Sequence, residues 1–224
     1  APHSYWYHPA HMRRKMERSL VSLKTDCVDL MYFHHCNFGN NEEYFDDAAN
    51  TLNRFQEEGK TKFTGLSDWD LNKIMNFIER ADPDVVQPYR NIYEDTYSSS
   101  GLKDYIEIHN LGVCYFSPLM HGLLTGKYSQ PAEFSEGDFR KNIGAFKDES
   151  VINLFQKNAE QLREKFKDHP NPVMHGVIDT LVSDSKNSCV LLGQRNIGQV
   201  KVASSLGKPV SDSDTKWVKS IYTN

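Results

Sequence analysis

The chain has no Cys-x-x-Cys pair, no polybasic stretch, and no apolar run near the ~18 residues that a bilayer span needs. The first absence removes the commonest zinc-ribbon and dithiol redox motifs. The second, together with a formal net charge of -4 over 224 residues, argues against nucleic acid or an anionic membrane as a partner. The third leaves no transmembrane helix. Residues Ala1 to His8 also lack the charged-then-apolar order of a secretory leader. Neither an internal repeat nor a Pro/Gly-rich linker interrupts the chain. One domain over residues 1–224 is therefore expected, with an aperiodic loop at 129–149 and a tail helix within 207–224.

Cysteine is scarce as well. Cys27, Cys36, Cys114 and Cys189 are the whole set, and three of them sit in or beside β-type segments. A free thiol there behaves as a small hydrophobe. Reduced thiols and a cytoplasmic location follow as expectations. His34-His35-Cys36 suggests a metal at first sight, but adjacent residues of a strand point to opposite faces, so no metal site is expected.

What is present is an alternation of apolar strands and amphipathic helices. Strands are predicted at Cys27–His34, Lys62–Leu66, Asp84–Gln87, Val113–Phe116 and Cys189–Leu192. Phe45, Ala48, Leu52 and Phe55 recur at helical spacing within 42–58, and Gly59 ends that helix. Leu71, Ile74 and Ile78 do the same within 70–80. Met16, Leu20 and Leu23 are expected to line the inner face of a helix over 10–24. Further helices are predicted at 102–110, 151–166, 172–183, 197–206 and 213–222. Strands apolar on both sides, separated by helices, argue for a parallel sheet with right-handed crossovers. Polar residues at the C-terminal strand ends are how such a sheet builds a site.

Several of these segments, in series, resemble the aldo-keto reductases. Val28-Asp29-Leu30-Met31-Tyr32-Phe33-His34 resembles the strand carrying the family's active-site histidine. Gly59-Lys60-Thr61-Lys62-Phe63-Thr64-Gly65-Leu66-Ser67-Asp68 resembles its Gly-Lys…Gly-x-Ser-Asn segment. Tyr115-Phe116-Ser117-Pro118-Leu119 with Gly122 to Tyr128 is similar to its pyrophosphate strand and loop. Leu192 to Asn196 with Gln199-Val200 is similar to its last cofactor segment. The resemblance runs over residues 10 to 222 and corresponds to the family's C-terminal two-thirds, from the fourth barrel strand onward. It implies a (β/α)8 TIM-barrel type of α/β fold, incomplete here, with about five parallel strands against the barrel's eight.

The resemblance also implies roles. His34 would orient a substrate carbonyl. Ser67, Asp68 and Gln87 would hold the nicotinamide carboxamide, and Phe116 would stack on its ring. Ser117, Leu119 and Lys127 would lie near the pyrophosphate, and Gly193, Arg195 and Gln199 near the adenosine and its 2′-phosphate. NADP(H) is expected in preference to NAD(H), with a small-molecule aldehyde or ketone as substrate. Taken alone, each residue has a plainer reading: Phe116 as core, Arg195 as a solvated charge, His34 as a satisfied buried histidine.

The departures from the family pattern carry expectations of their own. The family's tyrosine acid, with its lysine and aspartate, comes from strands before the matching segment, so this chain alone is expected to be inactive or very weak. Asp68 stands where the family has Asn, and a carboxylate accepts hydrogen bonds but cannot donate them. Val202 and Ala203 replace a Glu-Asn pair near the adenine. Tyr5, Tyr7 and His8 are candidate substitute acids, with no lysine nearby to tune them. The alternative reading is a non-catalytic regulatory or binding relative. Unpaired sheet edges beside Val28–His34 and Val190–Leu192 predict self-association, or a further segment that completes the barrel.

Overall fold

The computed structural model describes residues 6–223, so Tyr5 lies outside the described residues. Five parallel strands run in the order β1 (Val28–His34), β2 (Thr61–Asp68), β3 (Val85–Pro88), β4 (Gly112–Tyr115) and β5 (Ser188–Val190). This is an α/β fold of the (β/α)8-barrel type, as the resemblance implies, and the parallel sheet is the one the alternation predicts. The chain groups into two compact units, Ala1–Pro88 with Tyr97–Val113, and Tyr89–Thr96 with Cys114–Asn224.

In the first unit, α1 (Pro9–Leu23) opens with His8 Nδ1 accepting from the Ala10 N–H at 3.3 Å and with proline at the first helical position. Met12, Met16 and Leu20 form its buried stripe. Leu23 turns outward, unlike the expectation from periodicity, because the helix ends one residue later at Lys24, whose φ is 55°. Helix α2 (Phe45–Glu57) buries Phe45, Ala48, Leu52 and Phe55. Helix α3 (Leu71–Ala81) is capped by Asp70, which accepts from the Asn72 N–H at 3.0 Å. Its buried side chains are Leu71, Ile74, Phe77 and Ile78. Two shorter helices, α4 (Thr96–Ser99) and α5 (Leu102–His109), precede β4.

Aromatic rings form much of this unit's core. Phe38 touches Tyr7, Phe33, Phe45 and Phe77, with centroids 4.6 to 5.2 Å apart. Such edge-on and tilted contacts are the favoured geometries for aromatic pairs. Between β1 and β2 the packing depends on one glycine. A Cβ on Gly65 would stand 2.5 Å from Tyr32 Cδ1 and 2.6 Å from the Val85 carbonyl oxygen. Glycine therefore lets the Tyr32 ring lie across β2 without displacing backbone.

In the second unit, α6 (Glu149–Lys165) is capped by Asp148, which accepts from the Ser150 and Val151 N–H groups. It buries Ile152, Phe155, Ala159 and Leu162. Gly126, at φ 68°, comes so close to this helix that a Cβ would fall 2.4 Å from the Ala159 Cβ. The aperiodic segment 129–149 is packed against its own aromatic rings. Phe146 is fully buried, with Phe134 and Tyr128 rings 4.9 and 5.1 Å from it. The Arg140 guanidinium lies 4.3 Å from the Phe134 centroid, and Gln156 Nε2 donates to the Gly126 and Tyr128 carbonyls at 2.8 and 2.6 Å.

The helix predicted over 172–183 is three pieces: α7 (Pro172–Met174), a wide π turn at His175–Asp179, and α8 (Thr180–Val182). Helices α9 (Ile197–Ala203) and α10 (Asp212–Tyr222) follow β5. A buried ion network links three parts of this unit. Arg90 donates to Asp95 at 2.7 Å and to Asp184 at 2.6 Å, and Lys219 donates to the other oxygen of Asp184.

Candidate active site

The parallel register sets three predicted site residues in one row. His34 pairs with Ser67, and Ser67 pairs with Gln87, so the three lie side by side at the C-terminal ends of β1, β2 and β3. The Ser67 hydroxyl donates to Gln87 Oε1 at 3.3 Å. That bond orients the amide so that its N–H2 remains to donate elsewhere. Ser67 is buried, Gln87 half-buried and His34 exposed. Partial burial, and then the neighbouring His35, hold the His34 imidazole below its ordinary value, against an opposing pull from Asp68. The ring is therefore neutral near pH 7, with one nitrogen donating and the other accepting.

His35 corrects one sequence argument. Strand alternation would send His34 and His35 to opposite faces. β1 ends at His34, and His35 has a left-handed backbone with φ 70°. The two rings consequently lie side by side, with centroids 4.3 Å apart.

Asp68 is buried and already occupied. One oxygen accepts from the Cys36 N–H at 2.7 Å and the other from the Asp70 N–H at 2.9 Å. It braces the turns that follow β1 and β2, and its remaining lone pairs can still accept from an amide.

Tyr7 has a role that the sequence does not signal. Its phenol donates to the His34 carbonyl at 2.6 Å and also approaches the His35 carbonyl. Burial, followed by Cys36 and Asp68, pushes this phenol well above its ordinary value. It anchors the strand end that presents His34 and is a poor proton donor. His8, the other described candidate acid, is the cap of α1. The only sequence signal for Tyr7 is the aromatic run Tyr5-Trp6-Tyr7 near the start.

The other predicted residues lie in the second unit. Phe116 follows β4, bridges to Tyr89 and is half-buried, with the Tyr89 ring 5.8 Å away. Ser117 (φ 57°), Met120 (φ 46°), His121 (φ 56°) and Gly122 (φ 95°) interrupt the loop after β4 with left-handed turns. Within it the Met120 and Gly122 N–H groups donate to the Ser117 and Leu119 carbonyls at 3.1 and 2.9 Å. Leu119 sits inside this loop. Lys127 is exposed, its Nζ 4.7 Å over the Tyr128 ring. Gly193, Arg195 and Gln199 are exposed in the segment from β5 into α9. Gln199 Oε1 accepts from the Arg195 N–H at 2.5 Å, and Asn196 caps α9 by accepting from the Gln199 N–H at 3.0 Å. These bonds use the Arg195 backbone and leave its exposed side chain near enough to Asp138 to help Arg140 hold that carboxyl below its ordinary value.

A histidine-carboxylate cluster went unnoticed in the sequence. The ligand-type atoms of His169, His175 and Asp179 lie within 4.8 Å of one another. Asp179 accepts from His175 Nδ1 at 2.5 Å and from the Gly207 N–H at 2.7 Å. His169 Nδ1 accepts from the Asn171 N–H at 3.1 Å, which leaves its proton on Nε2. The cluster satisfies itself and ties the π turn to the 205–207 segment.

Comparison with known proteins identifies the family. The model of the Aldo/keto reductase family matches residues 1–223, and the chain belongs to that family. The match begins earlier than the motif resemblance at residue 10, and it does not bear out the narrower assignment to the family's C-terminal two-thirds. Aldo-keto reductase yakc [NADP(+)] of Schizosaccharomyces pombe is 29% identical over 154 residues, 68% of this chain and 43% of its own length. Aldo-keto reductase YhdN of Bacillus subtilis is 24% identical over 222 residues, 96% of this chain and 64% of its own. The structure of the glycerol dehydrogenase AKR11B4 from Gluconobacter oxydans superposes with a TM-score of 0.82 at 26% identity, over 96% of this chain and 64% of that one. The chain thus spans about two-fifths to two-thirds of the length of these relatives. No described helix is long and apolar enough to cross a membrane.

Proposed function

We propose that this chain forms the cofactor- and carbonyl-binding part of an oxidoreductase that reduces a small aldehyde or ketone with NAD(P)H. The row His34, Ser67 and Gln87 at neighbouring strand ends carries the reading. A neutral His34 N–H donates to the carbonyl oxygen of the substrate and fixes its orientation. The Gln87 amide and the Ser67 hydroxyl fit a carboxamide, and Asp68 has lone pairs left for that group's N–H2. The half-buried Phe116 ring suits stacking on a flat heterocycle. The left-handed loop from Ser117 past Leu119, with Lys127, suits a pyrophosphate, and Gly193 lets backbone approach the adenosine. When bound, the nicotinamide supplies the hydride.

Arg195 favours NADP(H) over NAD(H), because a guanidinium pairs with a phosphate monoester. The name of the yeast relative points the same way. Thermal melts with each cofactor test both parts. NADPH at ~100 times its dissociation constant should stabilise by about 2.7 kcal/mol. For a chain of this size that is a rise of about 5–10 °C in Tm. Arg195→Ala should cut the NADPH shift and leave any NADH shift unchanged. No shift with either cofactor at millimolar concentration would overturn the reading. Equal shifts, both insensitive to Arg195→Ala, would remove the preference for NADP(H).

We infer further that the outer edge of β1 is covered, by a second copy of the chain or by a further segment that completes the barrel. β1 stands at one end of the strand order. A cleft of 350 Å³ lies beside it, lined by Trp6, Met12, Met31, Tyr32 and Leu52 among others. An unpaired edge beside apolar side chains is a template for pairing. Light scattering at micromolar concentration should give at least twice the 25.8 kDa of one chain. A monodisperse monomer of 25.8 kDa would rule out the second copy.

A further inference from the structure

We propose that Cys114 and Cys189 form a reversible disulfide when the protein meets a hydroperoxide, making them a redox modification site in the second unit. The argument begins with register. The Leu191 N–H donates to the Tyr115 carbonyl at 2.9 Å. In a parallel ladder that bond sets Leu191 opposite Phe116, and two residues back it sets Cys189 opposite Cys114. Residues two apart on a strand share a face, so both thiols project from the same side of β4 and β5. Neighbouring strands lie about 4.8 Å apart, inside the span of about 4.4–6.8 Å between Cα atoms that a disulfide accepts.

Chemistry separates these two thiols from the others. The Cys114 thiol hydrogen-bonds to the Cys189 sulfur, which lowers Cys189 to about 7 against the opposing effect of burial. Cys189 is also exposed, whereas Cys114 is buried behind it. The accessible sulfur is thus partly thiolate near neutral pH, and its resolving partner is adjacent. That is the arrangement of a peroxide-reactive pair. Cys36 is the opposite case: buried, with burial and then Asp68 pushing it up to about 12.

The steps balance. The Cys189 thiolate attacks the terminal oxygen of the hydroperoxide, and the O–O bond breaks. The alkoxide or hydroxide leaves and takes a proton. Cys189 is now a sulfenic acid, two electrons more oxidised. The Cys114 sulfur attacks the Cys189 sulfur, the S–O bond breaks and water leaves with the Cys114 proton. In sum, two thiols and one hydroperoxide give one disulfide, one alcohol or water, and one water. A dithiol reductant reverses it.

The test uses the whole chain with hydrogen peroxide at pH 7, followed by alkylation and peptide mapping by mass spectrometry. The expected product is an intramolecular Cys114–Cys189 cross-linked peptide, lost on treatment with dithiothreitol. Its rate of formation should rise about tenfold between pH 6 and pH 8, tracking the thiolate fraction. Cys189→Ser should leave Cys114 reduced under the same treatment. Cys114→Ser should yield a dimedone-trappable sulfenic acid at Cys189 and no cross-link. A melt of each variant checks that it is folded before oxidation. Four alkylatable thiols remaining after peroxide, or a cross-link to Cys27 or Cys36 instead, would overturn the proposal. A cross-link only between chains would overturn it as well.

Discussion

Asp184→Ala should destabilise the protein by about 3–5 kcal/mol, the cost of stranding a buried charge. Arg90 is 1% exposed and Asp184 3%, and their bond at 2.6 Å joins groups 94 residues apart in the chain. Without Asp184, the guanidinium loses its buried carboxylate and keeps the half-exposed Asp95 as an ionic partner. Lys219 loses its carboxylate partner at the same time. Arg90→Met should cost less, because Asp184 then still has Lys219. At about 2–4 °C per kcal/mol for this size, Asp184→Ala should lower Tm by about 6–20 °C. The exposed pair Lys62–Asp29 is the internal control. Breaking it with Asp29→Ala should shift the melt far less, because solvent screens an exposed pair. Urea melts followed by circular dichroism give all three values. Equal losses for Asp184→Ala and Asp29→Ala would show that burial does not amplify the Arg90 network.

Tyr7→Ala should cost a similar ~3–5 kcal/mol, for a different reason. The ring packs against Phe38 at 4.6 Å and Phe33 at 5.5 Å, inside the aromatic cluster. Its removal leaves a cavity that the strand end and α2 cannot close without moving. Tyr7→Phe keeps the ring and loses only the phenol bond to the His34 carbonyl, so its cost should be about 1 kcal/mol. The pH dependence has a definite sign. Burial keeps the Tyr7 phenol neutral in the folded chain, so its folded value lies above its unfolded one. Its contribution is fully present below the unfolded value near 10 and is lost as pH rises beyond it. Tyr7→Phe should therefore flatten the fall in stability above pH 10. The same variant separates anchor from acid. If the phenol served as proton donor, Tyr7→Phe would abolish carbonyl reduction while leaving Tm nearly unchanged. The expected result is that any turnover the chain shows survives Tyr7→Phe and falls with His34→Ala.

Periodicity in the sequence determined the elements that bury one stripe or one strand. Helices α2 and α3 and strands β1 and β2 follow directly from Phe45, Ala48, Leu52 and Phe55, from Leu71, Ile74 and Ile78, and from the apolar runs before His34 and Ser67. Local chemistry determined the caps at Asp70 and Asp148 in the same way, since each carboxylate acts within three residues of itself. The polar strand ends were visible too, and their order matched the family's.

Tertiary structure decided what depends on partners far along the chain. Only strand pairing sets His34, Ser67 and Gln87 in one row, because register is a choice between strands. Only the left-handed backbone of His35 turns its ring back beside His34, since strand alternation stops where the strand stops. The 129–149 segment holds its shape through Phe134, Phe146, Tyr128 and Arg140, ring contacts that have no period to detect. Arg90 and Asp184 read in sequence as ordinary charges. Their energy comes from mutual burial, which exists only after distant segments have met and excluded water.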